Sequence, residues 1–279
     1  MALNPYLEVI IAAIIWGLSG IFVKYLNLPP TTVTFFRLAV PTFILLIFLT
    51  VKRIKLFHGN NKLILLASTL NAARIYLYTV GFTFASIGNA IIILYTWPIF
   101  TTIFSIVFLK EKVSKRTFLL LFIAIVGTAL IYLHKEFSFS DNNFIGMTAM
   151  LLSAIIYALT VIIFKKESEK YSKYEIIFYQ NVIGSIIFIP FIFINKPFPT
   201  LPQISIGIIY GALIGLVGFI FFFSALKKIK ASTVSFLSYF EVVSAIILSV
   251  IFFQEVLTWN MGVGGLLIIL ATTLIKKEN

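Results

Sequence analysis

The chain has 279 residues, 60% of them hydrophobic and 11% charged, with a mean hydropathy of +1.06. Charged residues average about a quarter of a soluble domain, so this composition excludes a soluble globular protein and predicts a polytopic membrane protein with almost no chain left over for a soluble domain. The net charge of +12 would suit nucleic acid only if the basic residues formed one patch, and the lack of cysteine excludes disulfides, thiolate catalysis and cysteine metal sites.

Met1 to Leu7 carries no basic n-region and Glu8 heads the first apolar run, so the first segment reads as a retained helix, not a cleaved signal peptide. A helix needs roughly 20 apolar residues to cross the hydrocarbon. Ten runs approach that length. The first five are Tyr6–Tyr25, Thr31–Val51, Lys62–Phe82, Ile87–Leu109 and Thr117–Leu133. The second five are Asn143–Phe164, Tyr174–Ile194, Gln203–Ala225, Ala231–Phe253 and Trp259–Ile275. Asn27-Leu28-Pro29-Pro30, His58-Gly59-Asn60-Asn61 and Lys196-Pro197-Phe198-Pro199 supply turn chemistry between them.

Charge sets the orientation. With the N-terminus cytoplasmic, the even-numbered loops and the C-terminus hold Lys52, Arg53, Lys55, Lys62, Lys110, Lys112, Lys115 and Arg116. They also hold Lys165, Lys166, Lys170, Lys173, Lys227, Lys228, Lys230, Lys276 and Lys277, which brings the total to 17 of 22 basic residues. The outer connections hold Lys135 and Lys196, with Lys24 at the end of the first span. This is the positive-inside asymmetry. It disperses the basic residues along one membrane face and removes the nucleic-acid reading.

Leu94-Tyr95-Thr96-Trp97-Pro98 opens an apolar run that ends at a Lys110-Glu111-Lys112 corner. Tyr239-Phe240-Glu241-Val242 opens a second such run, 144 residues later, which ends at Gln254-Glu255. Tyr95 to Glu111 and Tyr239 to Glu255 are both sixteen residues. Weaker echoes pair Trp16 with Tyr157 and Phe36-Arg37 with Tyr179-Gln180. The chain therefore reads as two five-helix units, 1–137 and 138–279. Five is odd, so the second unit enters the membrane from the opposite side. Inverted repeats of this kind place a transporter's site near the midplane between the units.

Arg37 near the outer end of the second span, and the Pro-containing fourth span leading into Leu109-Lys110-Glu111, resemble the EamA type of the drug/metabolite transporter (DMT) superfamily. Gly127 in the fifth span and Gly262-Val263-Gly264-Gly265 in the tenth extend the resemblance over nearly the whole chain. The resemblance implies an all-α integral membrane protein of ten transmembrane helices, arranged as two inverted five-helix repeats with cytoplasmic termini. It also implies alternating access with a small metabolite as substrate, amino acids among them. One departure is Val242 where the first unit has Pro98, which predicts that the ninth span lacks the break expected of the fourth.

Ionisable residues inside a span are costly and point to function. Of ten acidic residues Glu241 is the deep one, about ten residues or ~15 Å from the cytoplasmic end of its span. There it either takes up a proton, meets a cationic substrate or pairs with an arginine. Arg74 lies ~18 Å deep and needs a partner: Glu241, a substrate anion or backbone carbonyls. Arg37 lies ~9 Å below the outer surface, within snorkelling reach, and reads either as an anchor or packing residue or as a gate or substrate contact. Trp259 belongs to the interfacial belt. Trp16 and Trp97 sit near the midplane with Tyr76, Tyr78, Tyr95, Tyr157 and Tyr239. Tryptophan faces attract ammonium groups, so Trp16, Trp97 and Tyr95 beside Glu241 form a candidate amine cage. The substrate-binding set is then Trp16, Arg74, Tyr78, Tyr95, Trp97, Tyr239 and Glu241, with Arg37 and Pro98 assigned to gating or packing.

Gly207, Gly211 and Gly215 recur every four residues, with Gly218 following. Small residues at this spacing let helices approach closely, within a monomer or across a homodimer. Pro41 and Pro190 are further points where a helix can loosen. An intramembrane enzyme is disfavoured, because His58 and His134 are in loops and no span holds an acid–base or metal constellation. No phosphate-binding Gly-rich motif suggests ATP drive, and no filter or ring of like charge suggests a channel. A purely structural subunit is disfavoured by the internal duplication. The sequence thus predicts a cofactor-free secondary transporter in a cytoplasmic (inner) membrane, multi-pass in the lipid bilayer. A deep Glu, a deep Arg and midplane aromatics suit an amino acid or related amine; an anionic or nucleotide-like metabolite bound through Arg74 is the alternative.

Overall fold

The computed structural model describes residues 3–56, 61–85, 87–133, 141–196, 198–254 and 256–275. Among these residues every regular element is helical, as lipid requires: a helix satisfies its own backbone donors and acceptors where no water can. His58, Gly59, Asn60, His134, Lys135, Pro197, Glu255, Lys276 and Lys277, on which the sequence carries expectations, lie outside the described residues.

Each of the ten predicted spans coincides with a helix or a broken helix. In the first half these are α1 (Pro5–Gly17) with α2 (Ser19–Leu26), α3 (Pro30–Val51) and α4 (Lys62–Phe84). They continue as α5 (Ile87–Leu94) with α6 (Trp97–Leu109), then α7 (Lys115–Ile131). In the second half come α8 (Asp141–Glu167), α9 (Lys173–Ile194) and α10 (Leu201–Tyr210). A π-helical stretch, Gly211–Val217, joins α10 to α11 (Gly218–Lys228). Then follow α12 (Ala231–Leu237), α13 (Phe240–Phe253) and α14 (Trp259–Ile275). Among the described residues eight spans are long and apolar enough to cross a membrane. The helices α7 and α14 are shorter, 17 residues each, and pack on one another.

The helix breaks have local causes. Between α5 and α6 the chain turns at Tyr95-Thr96, and Pro98 lies in the first turn of α6, where its missing N–H costs nothing. Between α12 and α13 it turns at Ser238-Tyr239. The ninth span is therefore broken at the position equivalent to the break in the fourth, and the expectation drawn from Val242 is corrected. A tightened turn does the work of a proline there. The Tyr239 amide donates three residues back to Phe236 O at 3.1 Å, while its side chain is tied elsewhere, as described below. Pro41 and Pro190 lie inside unbroken helices. The α6 and α13 helices both end in a left-handed residue, Lys110 (φ 55°) and Gln254 (φ 53°).

The glycine run packs within the chain. A Cβ on Gly207 would strike the Phe36 ring, and one on Gly211 or Gly215 the backbone carbonyl of Phe36 or Arg37. These bare positions let α3 lie directly against the π-helical stretch, which fixes where Arg37 sits.

The lysine-rich end is knitted shut. Lys228 Nζ reaches Glu8 Oε1 at 2.6 Å, and Ser224 Oγ donates to the same oxygen at 2.8 Å. Lys165 donates to the carbonyls of Leu226 and Ile229 at the end of α11, where a cation meets the negative helix terminus. Glu111 accepts from the backbone amides of Ala231 and Ser232 at 2.7 and 3.2 Å and from Ser232 Oγ at 2.7 Å, capping α12. At the opposite end Asn195 joins Thr31 and Thr32, and Gln203 donates to Leu26 O at 2.9 Å. These contacts link neighbouring spans pairwise and leave a cavity between them.

Candidate functional site

The cavity encloses ≈720 Å³ and is walled by α1 to α5, the Tyr95–Trp97 turn, Tyr157 of α8, the π-helical stretch and α13. Its lining runs from midplane residues such as Trp16, Trp97 and Glu241 to Lys24, Leu28, Pro30 and Phe253 at the end away from the lysines. Val23, Lys24 and Pro30, exposed members of its lining, lie at that end. Clefts of this size, mostly apolar with a few polar groups, suit small-molecule ligands.

Four charged side chains line it, Lys24 at its mouth and Arg37, Arg74 and Glu241 deeper in. Arg74 is buried on α4 and held from several sides. Its Nε donates to Asn71 Oδ1 at 3.1 Å, and Asn71 in turn donates to Gln180 O at 2.8 Å. Ser153 Oγ donates to the Arg74 carbonyl at 3.1 Å. The guanidinium lies over Tyr157, 4.4 Å from the ring centroid, and Tyr157 packs on Trp97 at 4.6 Å. The partner expected for Arg74 is thus an amide and an aromatic face. Glu241 occupies the first turn of α13, just past the Ser238-Tyr239 turn. Its carboxylate faces Arg37 and the Tyr95 side chain. Arg37 projects into the cavity from α3 and is close enough to Arg74 for the two guanidinium groups to repel one another. Among the described residues the ion pairs are Glu167–Lys170 and Glu8–Lys228, so neither arginine is paired with a carboxylate.

The structure brings Trp16, Arg74, Tyr78, Tyr95, Trp97 and Glu241 to this one cavity. Trp16 and Trp97 are 5% and 4% exposed. The Trp16 indole donates to Ile214 O at 3.2 Å, a carbonyl of the π-helical stretch, and packs on Phe219 at 4.9 Å. Tyr239 is fully buried and lies outside the lining. Its hydroxyl donates to the Tyr95 carbonyl at 2.6 Å and its ring stacks on Tyr95 at 5.8 Å. The two turn tyrosines, 144 residues apart, therefore touch. Pro98 is likewise buried outside the lining, and Tyr76 faces outward at 60% exposure. Trp259, 76% exposed, fits the interfacial belt.

Sequence reasoning missed Tyr210, whose hydroxyl lies 3.3 Å from Ser19 Oγ on the cavity wall, and it placed Lys24 outside the site. Lys24 sits at the mouth with Nζ 3.7 Å from the Phe253 ring centroid. Its position at the lysine-poor end was the available signal. No group of three His, Cys, Asp or Glu that could hold a metal occurs among the described residues.

The EamA-like transporter family model matches residues 4–133 and 144–276. The chain belongs to the EamA-like transporter family. It is 25% identical over 279 residues to the mouse protein named solute carrier family 35 member G1, covering 95% of this chain and 76% of that one. It is 24% identical over 252 residues to the pseudopaline exporter CntI of Pseudomonas aeruginosa, covering 90% and 87%. A solved crystal structure superposes with a TM-score of 0.87 at 13% identity, covering 98% of this chain and 96% of its own, and shares the fold. The EamA-family assignment makes this chain a multi-pass membrane transporter and accounts for a water-accessible cavity among apolar helices.

Proposed function

We propose that the chain is a secondary transporter that carries an amino acid or related amine across the cytoplasmic membrane by alternating access. In this reading ten spans form two inverted units, 1–137 and 138–279, with both termini and the lysine-rich end in the cytoplasm. The state described above is then outward-facing. The observation that carries the reading is the cavity itself: it holds Arg37, Arg74 and Glu241 at or above the helix breaks and is closed on the lysine-rich side by Glu8–Lys228 and the Glu111 cap. A zwitterion fits its polar groups, with the ammonium beside Glu241 and Tyr95 and the carboxylate at Arg74. Broken helices at the site supply backbone dipoles that change direction when the units rock. The names of the solute carrier and exporter relatives support the transport role.

A second reading, an anionic or nucleotide-like metabolite, gains support from Arg37 joining Arg74 in the lining. Purified protein in proteoliposomes distinguishes them. Counterflow of radiolabelled amino acids or amines, lost in Glu241→Gln and in Arg74→Ala, is the expected result. Counterflow of anions that survives Glu241→Gln and fails in Arg74→Ala would replace the amine reading by the second one.

A further inference from the structure

Charge balance in the cavity narrows the ligand further, and the step rests on the zwitterion reading above. Arg37 and Arg74 line the cavity, Lys24 stands at its mouth, and Glu241 is the one carboxylate in the lining. While the cavity is open, water solvates the surplus positive charge. Closure expels that water, and a guanidinium left unpaired in a dry site is strongly disfavoured. Arg37 already faces Glu241, so a neutral amino acid whose ammonium takes up that carboxylate and whose own carboxylate meets Arg74 leaves Arg37 without a counter-charge. A ligand with one ammonium and two carboxylates leaves neither arginine alone.

We infer that the substrate is an amino-dicarboxylate, with its ammonium at Glu241, one carboxylate at Arg74 and the second at Arg37. The anchors differ in kind. Arg74 is fixed by Asn71 and stacked on Tyr157, so it presents its remaining guanidinium edge in a set direction, as bidentate carboxylate recognition needs. Arg37 makes no side-chain hydrogen bond among the described residues, and its turn of α3 is pinned through the Gly215 approach. In the open cavity it faces Glu241, and a ligand ammonium taking up Glu241 would leave it to a second anion. The cavity volume of ≈720 Å³ leaves room for an amino-dicarboxylate longer than glutamate. Closure then depends on the second acid group: the site dries around a charge-balanced ligand and resists drying around a neutral one.

The test is a thermal-shift titration of the purified full chain with three probes: L-glutamate, its near-isostere L-glutamine, and succinate, which lacks the ammonium. Ligand that binds the folded state raises the melting temperature by mass action. Glutamate is expected to half-saturate at a concentration about tenfold or more below glutamine, with succinate weaker than glutamate; tenfold corresponds to about 1.4 kcal/mol. In Arg37→Gln the glutamate-to-glutamine ratio is expected to collapse toward one, and in Arg37→Lys, which keeps the charge, most of the preference is expected to remain. Equal affinity for glutamate and glutamine in the unaltered protein would overturn the inference and leave the amino-acid transporter reading standing. An Arg37→Gln variant that weakens both probes by the same factor would also overturn it, because that marks a merely structural arginine. Succinate matching glutamate, unaffected by Glu241→Gln, would remove the ammonium site and with it the zwitterion reading. No shift with any of the three probes would reject this substrate class.

Discussion

The two ends of the molecule are built from equally apolar helices and do opposite things. At the lysine-rich end charged side chains bind backbone and one another: Glu111 caps α12, Lys165 caps α11, and Lys228 crosses to the Glu8 carboxylate on α1. At the other end the polar side chains are short amides and hydroxyls that join adjacent spans, and the centre stays open down to Trp16 and Glu241. Long charged side chains can clamp helices that approach at an angle, because their reach tolerates variation in spacing. Short ones need near contact. Closure in this fold is therefore a matter of a few polar crossings over an apolar bundle, and ligand contact a matter of the open half.

That division is broken most easily at Arg74. If the open half holds the ligand, Arg74→Ala is expected to weaken L-glutamate binding by about 10- to 150-fold, the value of a charge-assisted hydrogen bond of about 1.5–3 kcal/mol. Isothermal titration with the purified protein reads this directly, and a change below threefold would place the anion elsewhere. The closed half should respond differently. The sequence contains no cysteine, so a single introduced one is a unique reporter. Val9→Cys, fully buried beside the lysine-rich end, is expected to resist a membrane-impermeant maleimide, whereas Ser249→Cys on the cavity wall is expected to react readily. Adding Glu8→Gln and Lys228→Gln removes the crossing at 2.6 Å. Its loss shifts the open–closed equilibrium by about 1 kcal/mol, raising labelling at position 9 about fivefold. Unchanged labelling would mean that packing alone closes this end.

Much of this contrast was readable beforehand, and the part that was not has a physical reason. Span positions follow from hydropathy, since any stretch long enough to cross lipid must be apolar along its length, and the lysines mark one end through their cost in lipid. The depth of Arg74 and Glu241 follows from counting residues. The breaks were harder. Leu18 interrupts the first span and Ser238-Tyr239 the ninth, neither of them at a proline. The π-helical stretch hides within a glycine spacing that suits an ordinary helix and shows itself through the Trp16 bond to Ile214 O. Such features are set by partners far along the chain, as are the meeting of Arg37 with Glu241 and the retreat of Tyr239 from the cavity. The residue types told what must be paired; the packing decided with what.

The smallest of these effects lies where the two turn tyrosines touch. Tyr239, 144 residues after Tyr95, donates its hydroxyl to the Tyr95 carbonyl at 2.6 Å. That carbonyl sits at the α5–α6 turn, where the helix no longer supplies an acceptor's usual partner, so the phenol replaces a missing backbone bond. Tyr239→Phe keeps the ring stack and deletes one hydrogen bond, for an expected cost of about 1 kcal/mol and a fall in melting temperature of about 2–4 °C. Because Tyr239 lies outside the cavity lining, half-saturation by L-glutamate is expected to change less than twofold. A tenfold loss of affinity with the melting temperature intact would show that this bond holds Tyr95 in position against Glu241, which would place the junction of the two turns within the ligand site itself.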